Sequence, residues 1–256
     1  MDHVARYLPT IKTLAQRALD VAVDASPTKP RQGEFVRSLM LGVPAAQRLL
    51  GCADSSADQA VLALKQASET HAPKFVDGVG HARLVYHYLL LDLVCRAECA
   101  GLLIDPPRSD EQVHHEALRD LCEHRAARRP LAESFSGEGA LHEQTAADAP
   151  EAWVYREMVA LHGLVGMFCL HGGAALALRV RSAAVYHLHH TQPDYTTYQP
   201  WGLAAFLWFP ETVSFAEQQL HDVQTHLSLA GPAGALVPGL LLADAYATLG
   251  ELREKS

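Results

Sequence analysis

The chain has 256 residues, 49% of them hydrophobic and 20% charged, with a formal net charge of −8 when the histidines are neutral. That composition can bury a sizeable core and excludes global disorder. The acidic balance, with no Lys/Arg cluster denser than Arg125, Arg128 and Arg129, excludes a nucleic-acid backbone binder.

In chain order, residues 4–23 carry apolar positions at Leu8, Ile11, Leu14, Ala18 and Leu19, the spacing of one helix face. A Pro/Gly loop follows, and further helices are expected over 34–50, 55–70, 80–103 and 109–129, punctuated by Pro73, Pro106, Pro107 and Pro130. Residues 131–150 form the long polar stretch PLAESFSGEGALHEQTAADAP together with Pro130. It reads as a linker or a mobile loop between an N-terminal half, 1–130, and a C-terminal half, 151–256, the two packed as one domain.

Residues 152–190 are helical in pattern, with Gly172-Gly173 expected to bend or interrupt them. Within this segment Met158–Leu178 carries no formal charge, yet His162, His171 and four glycines make it a buried core helix rather than a membrane span. Pro193 ends the helix and Pro200 starts the next. Pro210 marks a turn, a helix runs to Leu229, Gly231-Pro232 breaks it, and Val237–Leu252 is the last helix. No stretch alternates with period two. The expected fold is all-α, a bundle or array of about nine to ten helices, with a toroid of helix pairs also consistent with the pattern.

The five cysteines, Cys52, Cys95, Cys99, Cys122 and Cys169, form no CxxC pair. With no signal-peptide pattern at the N-terminus, reduced thiols in a cytoplasm are expected.

Function concentrates in residues 186–215, which hold eight of the eighteen aromatic residues and three of the fifteen histidines. His187 and His190 lie three apart on one helix face, and Asp194 follows the helix end. Two imidazoles and a carboxylate can hold a divalent metal ion with an open position, or perform acid–base work. His190, Asp194 and Tyr198 are the expected catalytic groups, and His187, His190 and Asp194 the metal ligands. Tyr195, Gln199 and Trp201, joined by His81 from the first half, would contact substrate. His81 belongs to a polar helical stripe with Asp77, Tyr88 and Asp92. The bland account is that end-of-helix histidines cap carbonyls, that Trp201 is core, and that His162 is a hydrogen-bonded core histidine.

His162 and His187 can share a site only if the chain reverses at Gly172-Gly173, since a straight helix would separate them by about 37 Å. The order His187 or His190, His221-Asp222 and Asp244 resembles the H…HD…D ligand order of metal-dependent HD phosphohydrolases, also all-α. The resemblance covers four residues. The interval from Asp222 to Asp244 is short for that family and contains a Gly-Pro break.

The sequence thus points to an α-helical enzyme acting on a small molecule, a metal-dependent hydrolase or oxidoreductase, with no nucleic-acid or membrane partner and compatible with a homo-oligomer. The competing class is a non-catalytic helical binding or scaffold protein.

Overall fold

The computed structural model describes residues 2–23, 138–141, 144, 150–191, 199–229 and 232–256. Among the described residues the protein is all-helical, with six α-helices, one 3-10 turn and no strand. The helices expected within 34–129 lie outside the described residues, and the six described helices give no basis for the count of nine to ten.

Helix α1 spans Asp2–Val23. It buries Val4, Tyr7, Ile11, Leu14, Ala15, Ala18 and Leu19, the stripe that the three-and-four spacing requires. Helix α2 spans Pro150–His171 and α3 spans Ala174–His190. Between them Gly172 (φ 67°) and Gly173 (φ 98°) adopt left-handed backbone, which a residue with a Cβ resists. The two glycines convert what would be a single long helix into an antiparallel hairpin. The uncharged Met158–Leu178 stretch is divided by it, and no helix among the described residues is long and apolar enough to cross a membrane.

Helix α2 is the centre of the packing. Every residue from Glu157 to Met167 is buried, because α3, α4 and α6 contact it on different sides. A helix surrounded in this way is apolar all round rather than striped.

Trp201 and Gly202 (φ 70°) turn the chain into the short α4, Leu203–Trp208, whose first five residues are all buried. A 3-10 turn at Pro210–Thr212 follows. Thr212 Oγ1 lies 2.8 Å from the Phe206 carbonyl oxygen and 3.0 Å from that of Phe209, capping the end of α4. Helix α5, Val213–Leu229, buries Phe215, Ala216, Gln219, Leu220, Val223 and Leu227.

Helix α6 spans Pro232–Lys255. It starts five residues before the sequence expectation of Val237. Pro232 sits at the first position, where a missing N–H costs nothing. Pro238 lies inside the helix and cannot bond the Gly234 carbonyl; His226 Nε2 of α5 contacts that oxygen at 3.3 Å instead. Helices α1 and α6 make the most extensive contact between two elements. They run antiparallel, with Gly239 against Ala18 and Leu19, and Leu8 near Tyr246 and Gly250.

Candidate functional site

The α2–α3 hairpin brings Glu157 to His187, thirty residues apart in sequence. His187 Nε2 lies 3.0 Å from Glu157 Oε2, and both side chains are 0% exposed. An ionised carboxylate only accepts hydrogen bonds, so Nε2 carries the proton, an assignment made from the chemistry of the pair. In the neutral ring Nδ1 then presents a lone pair. Nδ1 is buried and has no hydrogen-bond partner. The ring lies among aromatics, with Tyr186 edge-on at 5.3 Å and Trp153 at 6.2 Å between centroids.

Glu157 Oε2 has a second donor. The Leu141 N–H reaches it at 2.6 Å, so a main-chain amide and an imidazole converge on one buried oxygen. Leu141 belongs to a short strap, residues 138–141, laid against α2 and α3. Arg179 of α3 grips the strap with its guanidinium fork. Nη1 donates to the Gly139 carbonyl at 2.8 Å and Nη2 to the Ala140 carbonyl at 2.6 Å. The Gly139 N–H donates to Ser182 Oγ at 2.8 Å. Burial pushes the Arg179 guanidinium below its ordinary range, and attraction to Glu157 partly restores it. Gly139 has φ 79°, and a Cβ there would meet the Tyr186 ring.

A second imidazole–carboxylate pair lies on the same central helix. His162 Nε2 of α2 is 3.1 Å from Asp244 Oδ2 of α6, both nearly inaccessible at 1% and 4%. Positions 157 and 162 are five residues apart, about 140° around a helix, so α2 directs one polar group to α3 and the other to α6. The Trp201 ring stands edge-on to His162 at 5.3 Å. Trp201 is itself fixed at both ends: its indole N–H donates to Gln199 Oε1 at 3.0 Å, and its carbonyl accepts from Gln219 Nε2 at 2.9 Å. The expectation that His162 is a hydrogen-bonded core histidine stands.

The sequence-derived residues therefore separate. His187 is wholly buried against Glu157. His190 is exposed and stacked on Tyr186, 4.5 Å between centroids. Gln199 is half-buried, and Trp201 is 0% exposed and packs into the core. Asp194, Tyr195, Tyr198 and His81 lie outside the described residues, as do Asp77, Tyr88 and Asp92. Among the described residues no group of three or more His, Cys, Asp or Glu side chains is placed to hold a metal ion.

The HD-phosphohydrolase resemblance fails on geometry. His221 is exposed, Asp222 accepts from Gln218 Nε2 at 2.8 Å, and Asp244 faces His162. These side chains serve separate elements and form no common centre.

Sequence reasoning did not single out Glu157, Ser182 or Tyr186. For Glu157 a signal existed: Trp153, Ala160, Leu161 and Leu164 share its helical face and are all buried. A lone carboxylate in an apolar stripe calls for a buried partner. Comparison with known protein families, curated proteins and solved structures finds no match. What the described residues define is a class only: an all-helical region with two imidazole–carboxylate pairs buried on one helix.

Proposed function

We propose that the protein is an α-helical enzyme acting on a small molecule, with Glu157 and His187 as its acid–base pair. The observation that supports this most is the unshared Nδ1 of a histidine whose other nitrogen is held by a buried carboxylate. A carboxylate that fixes the tautomer and orientation of an imidazole leaves the opposite nitrogen poised to take a proton. The aromatic walls from Trp153 and Tyr186 suit an organic substrate. In this reading His187 takes the base role and His190 stacks on Tyr186; Asp194, Tyr195 and Tyr198, which the sequence also offers for the site, lie outside the described residues.

A metal-assisted form of the reaction, with a divalent ion on His187, His190 and Asp194, must use His187 Nδ1, since Nε2 is committed to Glu157. Stoichiometric metal in the purified protein, lost in His187→Ala/His190→Ala, would support that form.

The competing reading is a non-catalytic helical binding or scaffold protein. Complete burial of both members of the pair favours it, because a wholly enclosed imidazole–carboxylate pair organises a core without touching any ligand.

Turnover measured across a panel of small ester, amide, phosphoester and alcohol substrates separates the two. The wild-type protein is expected to turn over at least one class, and His187→Gln to lose about 10²–10⁴-fold while staying folded. Equal turnover by the two proteins overturns the acid–base assignment. Absence of turnover, with His187 ring signals unmoved by every compound, assigns the protein to the scaffold class.

A further inference from the structure

Four hydrogen bonds join side chains of α2 and α3 to the main chain of the strap. Arg179 reads two successive carbonyls, Ser182 reads the Gly139 N–H, and Glu157 reads the Leu141 N–H. None of these bonds touches a strap side chain. Two carbonyls flanked by two amide N–H groups, presented by three successive residues, are the functional groups of a short peptide. The strap adds one buried apolar side chain, Leu141 at 8% exposure, and one residue at positive φ, Gly139.

We infer that the seat of this strap on α2 and α3 is a peptide-binding cleft, and that residues 139–141 are its intramolecular occupant. The ligand class is a short peptide, or a small molecule built on peptide amides, with a glycine or an equally permissive unit opposite Tyr186 and an apolar group in place of Leu141. The inference rests on reading Glu157 and His187 as a site and names what that site holds. The strap is a built-in competitor. Glu157 Oε2 contacts both the strap amide and His187 Nε2, so an incoming peptide that displaces the strap delivers its own N–H to the oxygen that orients the imidazole.

The polar groups explain why the strap is replaceable and the helices are not. Opening it breaks four hydrogen bonds and uncovers one described leucine, whereas separating α2 from α3 would uncover the core. Released, the strap leaves Arg179 short of two acceptors and Glu157 short of a donor. Buried groups left in that condition demand equivalent partners. A peptide main chain supplies them in the same order. An isolated anion would satisfy Arg179 but leave Glu157 facing a like charge.

The test uses the blocked tetrapeptide acetyl-Glu-Gly-Ala-Leu-amide, which copies residues 138–141, and the full chain. Tethering gives the strap an effective concentration in the millimolar range, so the wild-type protein should bind the peptide weakly. Leu141→Pro removes the amide that Glu157 reads and leaves every side chain of the cleft in place. It should bind the peptide about tenfold or more tightly than wild type, measured by calorimetry. Adding Arg179→Gln to that variant should abolish binding, and a peptide N-methylated at its leucine should not bind. Equal affinity in the wild type and Leu141→Pro, or none in either, overturns the inference.

Should Leu141→Pro fail to fold, hydrogen exchange in the wild type decides. Millimolar peptide should speed exchange of the Leu141 amide several-fold by displacing the strap; an unchanged rate overturns the inference. Turnover of small substrates without peptide binding overturns the peptide site and leaves the acid–base reading standing. Peptide binding without turnover does the reverse.

Discussion

Replacing Glu157 by alanine tests the centre of the structure. The carboxylate is 0% exposed and Oε2 accepts from two donors, the Leu141 amide at 2.6 Å and His187 Nε2 at 3.0 Å. Truncation leaves both donors buried. Each carries a desolvation penalty of about 1–3 kcal/mol, giving roughly 2–6 kcal/mol for the two. The lost side-chain carbons add about 1–2 kcal/mol. Relief from burying a charge acts in the opposite direction. Breaking one side of a buried pair costs about 3–5 kcal/mol in net, and that range is the expectation here. For a domain of this size the melting temperature should fall by roughly 6–20 °C.

Urea unfolding followed by circular dichroism measures the loss as a shift in midpoint at constant slope. Two further variants isolate the cause. Glu157→Gln keeps one acceptor and should cost about 1–3 kcal/mol, since its amide nitrogen then faces a donor. The double variant Glu157→Met/His187→Leu removes both polar partners and should be less destabilised than Glu157→Ala alone, with only the Leu141 amide left unserved. A Glu157→Ala protein within about 0.5 kcal/mol of wild type would refute the buried pair. A double variant worse than the single would refute the attribution to unpaired donors.

Two further outcomes follow from other parts of the fold. A Cβ at Gly239 would sit 3.0 Å from Ala18 Cβ and 3.2 Å from Leu19 Cδ2. Ala18 has no rotamer to retreat into, so overpacking of about 1–3 kcal/mol exceeds the gain of about 1 kcal/mol in helix propensity, and Gly239→Ala should lower the melting temperature. Gly250 lies on the same helix with open space at its Cβ, and Gly250→Ala should raise it; the reverse ranking in thermal melts would refute the α1–α6 packing. Tyr7 supplies a pH signature. Burial, then its hydrogen bond to Glu217, raises its hydroxyl above 10.0. A group raised on folding contributes fully below its unfolded value and loses that contribution as pH climbs through the folded one. Stability should therefore fall above pH 10 in the wild type and fall less in Tyr7→Phe, as read from urea midpoints between pH 9 and 11.

How much of this was legible in the sequence depends on which physical signal each feature leaves. The break in the helix was legible because Gly172-Gly173 interrupts an apolar pattern; that the chain fully reverses there follows from the left-handed backbone of both glycines. The α1 stripe and the turn at Pro210 leave equally local marks. The start of α6 did not, since the partner that serves the Gly234 carbonyl comes from α5.

The site shows the same division. His187 and His190 do share a face, but the boundary between core and solvent passes between them. The buried stripe of α3 and its cap runs Val180, Ala184, His187 and Thr191, and His190 is rotated about 60° from His187. Spacing alone fixes that rotation; only the packing of α2 against α3 fixes where the boundary lies. Glu157 illustrates the remaining gap. Its residue type and its apolar neighbours state that a partner must exist, yet they are silent on which of fifteen histidines supplies it. The partner became definite only once the glycine pair had folded α3 back along α2. A carboxylate on an apolar helix face, followed by a chain reversal and a histidine on the returning helix, is therefore the pattern from which such a pair can be read. It predicts that lengthening the Gly172-Gly173 turn should leave both helices formed while uncoupling Glu157 from His187.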